Sequence, residues 1–438
     1  GDLEHEGSVY NSQEYLKECS HSYTSKVTTA ATCDKAGVKT YTCSKCGNSY
    51  TEAIAALGHS WTDATCTAPK TCSKCGATEG EALGHSWTDA TCTAPATCSV
   101  CGATEGDALG HASVTYSFVN NVHTFTCDVC GEVAFTKTEG KKFAINSAAP
   151  VLADDIVMKY NVTIPAGFEN AYMVFDFNGE SFTVTDYEID ASTGRYAFKF
   201  PGINPQKMGD NICATVYATV DGYQVSAQIA SYSMVKYLDN QLKKATLPAD
   251  TRTIFSDVLA YGEAAQILQG YKTDALVTSL LSAESTLTPS SFPEALDASL
   301  NLQKRTGTAD SRGQYTGVTL SLGSKMAVRV SVTCTDLAAF TYKVEISGRE
   351  YTYTGEDLVP VTDGSDGKYY LYFNQVKASE LDQKITFTCW EGETQVSYTI
   401  EYSVYTFVYR NYTKASLDEN TKNMLKAIYV YGESVKNA

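Results

Sequence analysis

Residues 58–83 read GHSWTDATCTAPKTCSKCGATEGEAL, and residues 84–109 read GHSWTDATCTAPATCSVCGATEGDAL. Only three of these 26 positions differ, Lys70/Ala96, Lys74/Val100 and Glu81/Asp107. Diverged copies flank the pair. Upstream, His21 is followed by Cys33, Cys43, Cys46 and Gly47; downstream, His111 is followed by His123, Cys127, Cys130 and Gly131. The first third is therefore an array of four units, starting at about residues 20, 58, 84 and 110.

Each unit carries four soft or borderline metal ligands. The middle two share the spacing H-x6-C-x5-C-x2-C: His59, Cys66, Cys72 and Cys75, then His85, Cys92, Cys98 and Cys101. Read unit by unit, the first set is His21, Cys33, Cys43 and Cys46. The last is His111, His123, Cys127 and Cys130, with His123 standing where Cys33 stands in the first. In C-x2-C two thiolates reach one ion from a tight knuckle, and the following glycine (Gly47, Gly76, Gly102, Gly131) permits the turn. A closed N/S set of four leaves no open position for chemistry, so the expectation is about four structural zinc ions. Iron also suits such ligands, but zinc makes no redox demand. Trp61 and Trp87, two residues after their histidines, are expected to cover the ion, with Tyr23 in the same place in the first unit. A disulfide framework is the competing reading. It founders on parity, because the middle units have three cysteines each and their histidines would go unexplained. Cys19 falls outside the pattern and receives no role.

These repeats resemble the zinc-ribbon-like GHSWTDATCTAPKTCSKCG-type repeats of large cell-surface proteins from gut Clostridia and ruminococci. The resemblance covers residues ~20–135 and rests on the His, Trp, Thr-Cys-Thr and C-x2-C-G positions. It implies a secreted or wall-attached Gram-positive protein and no particular activity.

After residue 142 the chain changes character. Stretches 158–164, 171–177, 196–200, 212–220 and 224–232 have strand length and β-branched or aromatic content, separated by turn signals such as Asn178-Gly179 and Asp221-Gly222. Residues 251–269 carry helical periodicity, and 234–247 are helical in part. The same order returns at 326–333, 339–346, 369–373, 385–390 and 395–404, followed by a helix over 417–435. Three anchors set the register: Gly179/Gly348, Gln224-Val225-Ser226/Gln395-Val396-Ser397, and Tyr261-Gly262-Glu263/Tyr431-Gly432-Glu433, at offsets of 169, 171 and 170 positions. The fold expected is thus multidomain and mainly β. Four small zinc-ribbon-like repeats precede two duplicated immunoglobulin-like β-sandwich modules, each with a C-terminal helix packed on its own sandwich. The divisions are an N-terminal segment 1–19, repeats 20–57, 58–83, 84–109 and 110–142, a first module 143–280, a connector 281–312 and a second module 313–438.

Composition narrows the function. Of 438 residues, 43% are hydrophobic and 19% charged, enough for globular cores, and the net charge is −16 with no obvious basic patch. Nucleic-acid binding is therefore not expected. No run approaches the ~18 apolar residues of a membrane helix, so no membrane insertion is expected in this segment. Residues 1–10 lack a secretory signal, which is expected to have been removed or to lie in a longer protein. The 30 tyrosines and abundant Thr, Ser and Asn read as an extracellular surface. All six histidines lie at or before His123, so histidine-based catalysis is excluded from everything after it. Acidic clusters at Asp154-Asp155, Asp186/Glu188/Asp190 and Glu391/Glu393 read as solvated turns rather than a paired-carboxylate site. Tyr223, Tyr370, Tyr372 and Trp390 are candidate ligand contacts, since exposed aromatics on strands serve recognition. Cys334 and Cys389 are candidates for a disulfide between sheets. The chain reads as a non-enzymatic binding or adhesion protein whose partner is a host glycoprotein (mucin or immunoglobulin) or a glycan. The alternative is an accessory, carbohydrate-binding region of a larger secreted enzyme.

Overall fold

The computed structural model describes residues 19–138, 140–309, 313–363 and 366–436. The N-terminal segment before Cys19, with His5, and the end of the connector at 310–312 lie outside the described residues. The chain divides into two compact units, 1–112 and 113–438. Among the described residues all strand pairs are antiparallel.

In the first unit each repeat is a three-stranded sheet. The first comprises Tyr23–Thr29, Gly37–Cys43 and Ser49–Ile54; the second Trp61–Thr62, Lys70–Cys72 and Thr78–Glu79; the third Trp87–Thr88, Ala96–Cys98 and Thr104–Glu105. Strands this short cannot enclose a core, and within residues 58–110 the buried residues are Cys66, Cys72, Cys92 and Cys98 alone. The stability of these units has to come from what the sulfurs hold.

The second unit has an apolar core. The sheet of the last repeat, Val114–Val119, Val122–Cys127 and Val133–Thr138, belongs to it. Phe125, fully buried, meets Phe168 and Tyr223. The first copy of the large module then forms two four-stranded sheets. One runs in the order Ala144–Val151, Val157–Thr163, Tyr196–Lys199, Glu188–Ile189; the other Glu180–Val184, Glu169–Phe177, Ile212–Val220, Tyr223–Tyr232. The second copy keeps that order. Gly313–Leu322, Met326–Cys334, Lys368–Phe373 and Val359–Pro360 match the first sheet. Arg349–Tyr353, Thr341–Ile346, Ile385–Glu391 and Thr399–Tyr402 match the second, with Lys304–Thr306 added at its edge. Asn178-Gly179 and Ser347-Gly348 both take positive φ at each position, 52° and 84°, 50° and 76°. That is the tight hairpin turn that the twist of the strands favours and that glycine admits without strain.

Besides that added edge strand, one strand is built differently in the second copy. Where a single strand is expected over 395–404, the chain pairs briefly at Thr394–Gln395, breaks, and resumes at Thr399–Tyr402. Ser397 Oγ accepts the Cys389 amide at 2.8 Å, so a side chain replaces a carbonyl of the ladder and the strand bulges. Cys334 and Cys389 do not pair; both are buried free thiols, and burial pushes Cys389 up to about 12.

Each copy ends in two helices: α1 (Met234–Leu242) and α2 (Ala249–Gln269), then α3 (Val404–Asn411) and α4 (Glu419–Lys436). Ser233 and Ser403 cap α1 and α3, accepting the amides of Lys236 and Thr406. Each long helix packs on its own copy, α2 against the turn at Pro205–Lys207 and α4 against that at Ala378–Glu380, and has a second partner besides. α2 and α4 pack on each other, with Tyr261 and Tyr431 stacked at 5.4 Å and 18°. The paired Tyr-Gly-Glu motifs explain this. Tyrosine faces the partner helix, and glycine lets the helix press on its own copy. A Cβ on Gly262 would strike Met208 and Pro205, and one on Gly432 would strike Tyr405 and Leu381.

Candidate metal centres and recognition surface

The cysteine knuckle is built the same way in each repeat. The glycine amide donates to the first cysteine carbonyl at 2.9 Å (Gly47 to Cys43, Gly76 to Cys72, Gly102 to Cys98), with glycine φ of 72–74°. Across the sheet the aromatic residue pairs with that cysteine: Tyr23 with Cys43, Trp61 with Cys72, Trp87 with Cys98. The aromatic ring stacks on the histidine two residues earlier, at 4.6 Å for His59/Trp61, 4.7 Å for His85/Trp87 and 5.3 Å for His21/Tyr23. Each ring thus fixes the imidazole plane.

The ligand sets differ from the unit-by-unit reading. The atoms that gather within 4.8 Å of one another are those of Cys19, His21, Cys43 and Cys46; of Cys33, His59, Cys72 and Cys75; and of Cys66, His85, Cys98 and Cys101. Cys33 does not join His21, and Cys66 does not join His59. Each set takes its histidine and knuckle from one repeat and its remaining cysteine from upstream. The cause is a backbone latch. Leu83 N donates to Thr65 O at 2.9 Å and Gly84 N to Cys66 O at 3.1 Å, which lays Cys66 beside His85. Leu57 N to Thr32 O does the same for Cys33, and Leu109 N to Thr91 O and Gly110 N to Cys92 O repeat it for Cys92. Cys19, given no role from sequence, completes the first set, its Sγ 3.8 Å from that of Cys43.

His123 is the second correction. Fully buried, it accepts or donates through Nδ1 to the Tyr116 hydroxyl at 2.9 Å and packs against Phe118 and Phe168, within the core of the second unit. It stands in an aromatic cluster there, and among the described residues it joins no ligand group.

In all three sets within the first unit the imidazole Nδ1 faces the second knuckle sulfur, at 3.3 Å (His21–Cys46), 3.5 Å (His59–Cys75) and 3.4 Å (His85–Cys101). The far nitrogen of His59 meets Asp34 at 2.6 Å, the carboxylate–histidine arrangement that orients a ligand. The sulfurs are electrostatically divided. Burial alone raises Cys43, Cys72 and Cys98, but histidine and backbone amides outweigh it and bring each down to about 5. The cysteines from upstream have no such help; burial and the neighbouring thiolates raise Cys33 to about 12 and Cys66 to about 11. A preformed thiolate and a reluctant thiol share each set, so binding an ion displaces protons. Three sulfurs and one nitrogen at this separation fit a tetrahedral ion.

The aromatic candidates separate. Tyr223 lies against Phe125 and Phe135, at 6.3 and 6.2 Å, and is used in packing. Leu371 and Phe373 point inward, which leaves Tyr370 and Tyr372 together on the outer face. Their rings meet edge-on at 6.0 Å, and the Arg329 guanidinium lies 4.2 Å over Tyr370. Exposed Val359 pairs with Tyr370. Trp390, half-buried, donates to Thr388 at 2.8 Å beneath Lys343. Within the acidic clusters, Asp190 closes a turn on Ser192 and Thr193, Glu188 pairs with Lys199, and Asp154 with Lys377.

No helix among the described residues is long and apolar enough to cross a membrane. No protein-family model matches the chain, and no curated protein sequence matches it. Solved structures that align with it include a Ca2+-stabilised adhesin with which an Antarctic bacterium reaches out and binds ice, 13% identical over 84% of this chain and 81% of that one, TM-score 0.16. The FN1–FN3 domains of chicken CNTN1 align at 10% identity over 73% and 97%, TM-score 0.14. S. aureus TarS 217–571 aligns at 9% identity over 66% and 69%, TM-score 0.16. Scores this low establish no common fold.

Proposed function

We propose that this is a non-enzymatic extracellular binding protein, in which a zinc-held repeat array acts as a spacer and two immunoglobulin-like modules present the recognition surface. The observation that carries the reading is the interleaving of the ligand sets. An ion that takes its ligands from two successive repeats joins them, which a spacer requires and a catalytic site does not. Continued along the sequence, the same register assigns Cys92, His111, Cys127 and Cys130 to a fourth set. Zinc is the ion proposed, because three thiolates and an imidazole satisfy it in a closed tetrahedron. The resemblance of the repeats supports a place at the surface of a Gram-positive gut bacterium.

The recognition surface proposed is the outer face carrying Tyr370, Tyr372 and Arg329. Partly buried tyrosines beside an arginine are suited to a host glycoprotein such as mucin or immunoglobulin, or to a glycan. Tyr223, occupied in packing, is left out. The test is binding of the full chain to immobilised mucin, immunoglobulin and a glycan array, with and without Tyr370→Ala/Tyr372→Ala. Loss of about tenfold or more in affinity is expected for the double variant. Undiminished binding would move recognition elsewhere.

A further inference from the structure

A cavity of ≈ 130 Å³ opens where the two copies meet over the α2–α4 contact. It is built from equivalent positions of the duplication: Tyr261 and Tyr431, Asp155 and Lys325, and Ile156 and Met326 each line it, and each pair is offset by 170 residues. The aliphatic side chains of Ile156, Ile203, Val376, Leu381 and Ile428 also line it. Two departures from the symmetry stand out as chemistry. First, the equivalent rim positions carry opposite charges, the Asp155 carboxylate from one copy and the Lys325 ammonium from the other. Both are exposed, and neither has an ion-pair partner among the described residues. Second, the Tyr431 hydroxyl donates to Leu152 O at 2.7 Å, whereas that of Tyr261 has no hydrogen-bond partner among the described residues, although the residue is only 6% exposed and lines the cavity. The Tyr261 oxygen keeps contact with the solvent of the cavity, so a ligand that enters meets a free hydroxyl there.

We propose that this cavity binds a zwitterion with an aliphatic side chain, a free amino acid or a short peptide. Its ammonium pairs with Asp155, its carboxylate with Lys325, its polar backbone meets the Tyr261 hydroxyl, and its side chain rests among the isoleucines. The volume approaches the roughly 150 Å³ of a cavity that takes in benzene, enough for an aliphatic side chain. The neighbouring carboxylate of Asp154 is already held by Lys377 at 3.0 Å, so it does not compete for the ammonium. The lining of the cavity includes neither Tyr370 nor Tyr372 of the outer recognition face.

The test is isothermal titration calorimetry of the full chain with leucine and with leucyl-leucine. N-acetyl-leucine amide, which lacks both charges, and glucose serve as controls. Saturable binding of at least one zwitterion is expected, and which of the two binds distinguishes the free amino acid from the peptide. Asp155→Asn and Lys325→Gln should each weaken it by roughly tenfold, and Tyr261→Phe by a few-fold. The exposed charge variants keep the fold, which circular dichroism verifies. The proposal fails if neither zwitterion gives saturable heat, if the blocked amide or glucose binds as well, or if both charge variants bind normally. Binding should persist in Tyr370→Ala/Tyr372→Ala; its loss there would place the ligand on the outer face instead.

Discussion

Cys19 and His123 exchange roles between the linear reading and the folded chain, and two single substitutions expose the difference. The sequence carries four C-x2-C-G knuckles, so the wild-type chain is expected to hold four ions. Cys19→Ser should lower the metal content by one ion per chain, measured by atomic emission on the purified protein, and His123→Gln should leave it at four. The unit-by-unit assignment requires the opposite result from each. The signal that favours the interleaved reading was present in the cysteine count. Taken in register, the four sets use all twelve cysteines before residue 131 with one histidine each, whereas the linear parse strands Cys19 and substitutes an imidazole. Asp239 offers a second test at this scale. Burial works against its charge, but Lys243, Ser285 and Ser282 outweigh that and hold the carboxyl well below the usual range. Its contribution is therefore present above the unfolded value near pH ~4 and is lost as the pH falls toward the depressed folded value. Denaturation midpoints followed by circular dichroism should drop on acidification in wild type, with a shallower drop in Asp239→Asn. That variant should also be less stable at neutral pH by about 1–3 kcal/mol, since it weakens the bonds from the Ser282 amide and the Ser282 and Ser285 hydroxyls.

Among the elements, the long helices show best where sequence reading succeeds and where it stops. Their ends fall within about two residues of expectation, because 3.6-residue periodicity is a local property. Their partners do not follow from it, since an apolar stripe says that something covers it and not what. The repeated Tyr-Gly-Glu was legible as a duplication; that its tyrosines stack across the two copies was not. α3 was missed altogether, because its eight residues, Val404 to Asn411, are rich in β-branched and aromatic side chains that favour a strand. The Ser403 cap, 170 positions after Ser233, was the overlooked cue. The close approach at glycine predicts that Gly262→Ala and Gly432→Ala each destabilise the second unit by roughly 1–3 kcal/mol in chemical denaturation. Alanine is the better helix former, so an equal or greater stability in both variants would show that neither contact is tight. The latch in the repeats makes a comparable prediction. Cys66→Ser lies in the second repeat but removes a ligand from the set of the third. Proteolysis should therefore open around residues 84–101, leaving the knuckle at Cys72 and Cys75 protected.

At the scale of the whole molecule the two units draw on different sources of stability. Residues 113–438 bury a continuous set of Phe, Tyr, Ile, Leu, Val and Met side chains, and at roughly 25 cal/mol per Å² of apolar surface such a core holds itself together. In residues 58–110 only cysteines reach that depth, so the ion proposed for these sets takes the place of a core. Duplication of the large module could be read from three anchors because strand order and turn glycines are written locally, while the sharing of ligands between repeats is set by long-range backbone bonds that no spacing rule contains. The contrast predicts a split response to chelation. With EDTA, trypsin should gain access to Lys26, Lys35, Lys39, Lys45, Lys70 and Lys74 in the array, while a fragment bearing the apolar core of the second unit persists. Zinc added back before digestion should restore protection, because the three sets of the first unit refold around the ion rather than around a surviving core. Should the array resist trypsin equally after emission spectroscopy shows the metal gone, the sulfurs are not what holds it, and the spacer assigned to it would need another source of stiffness.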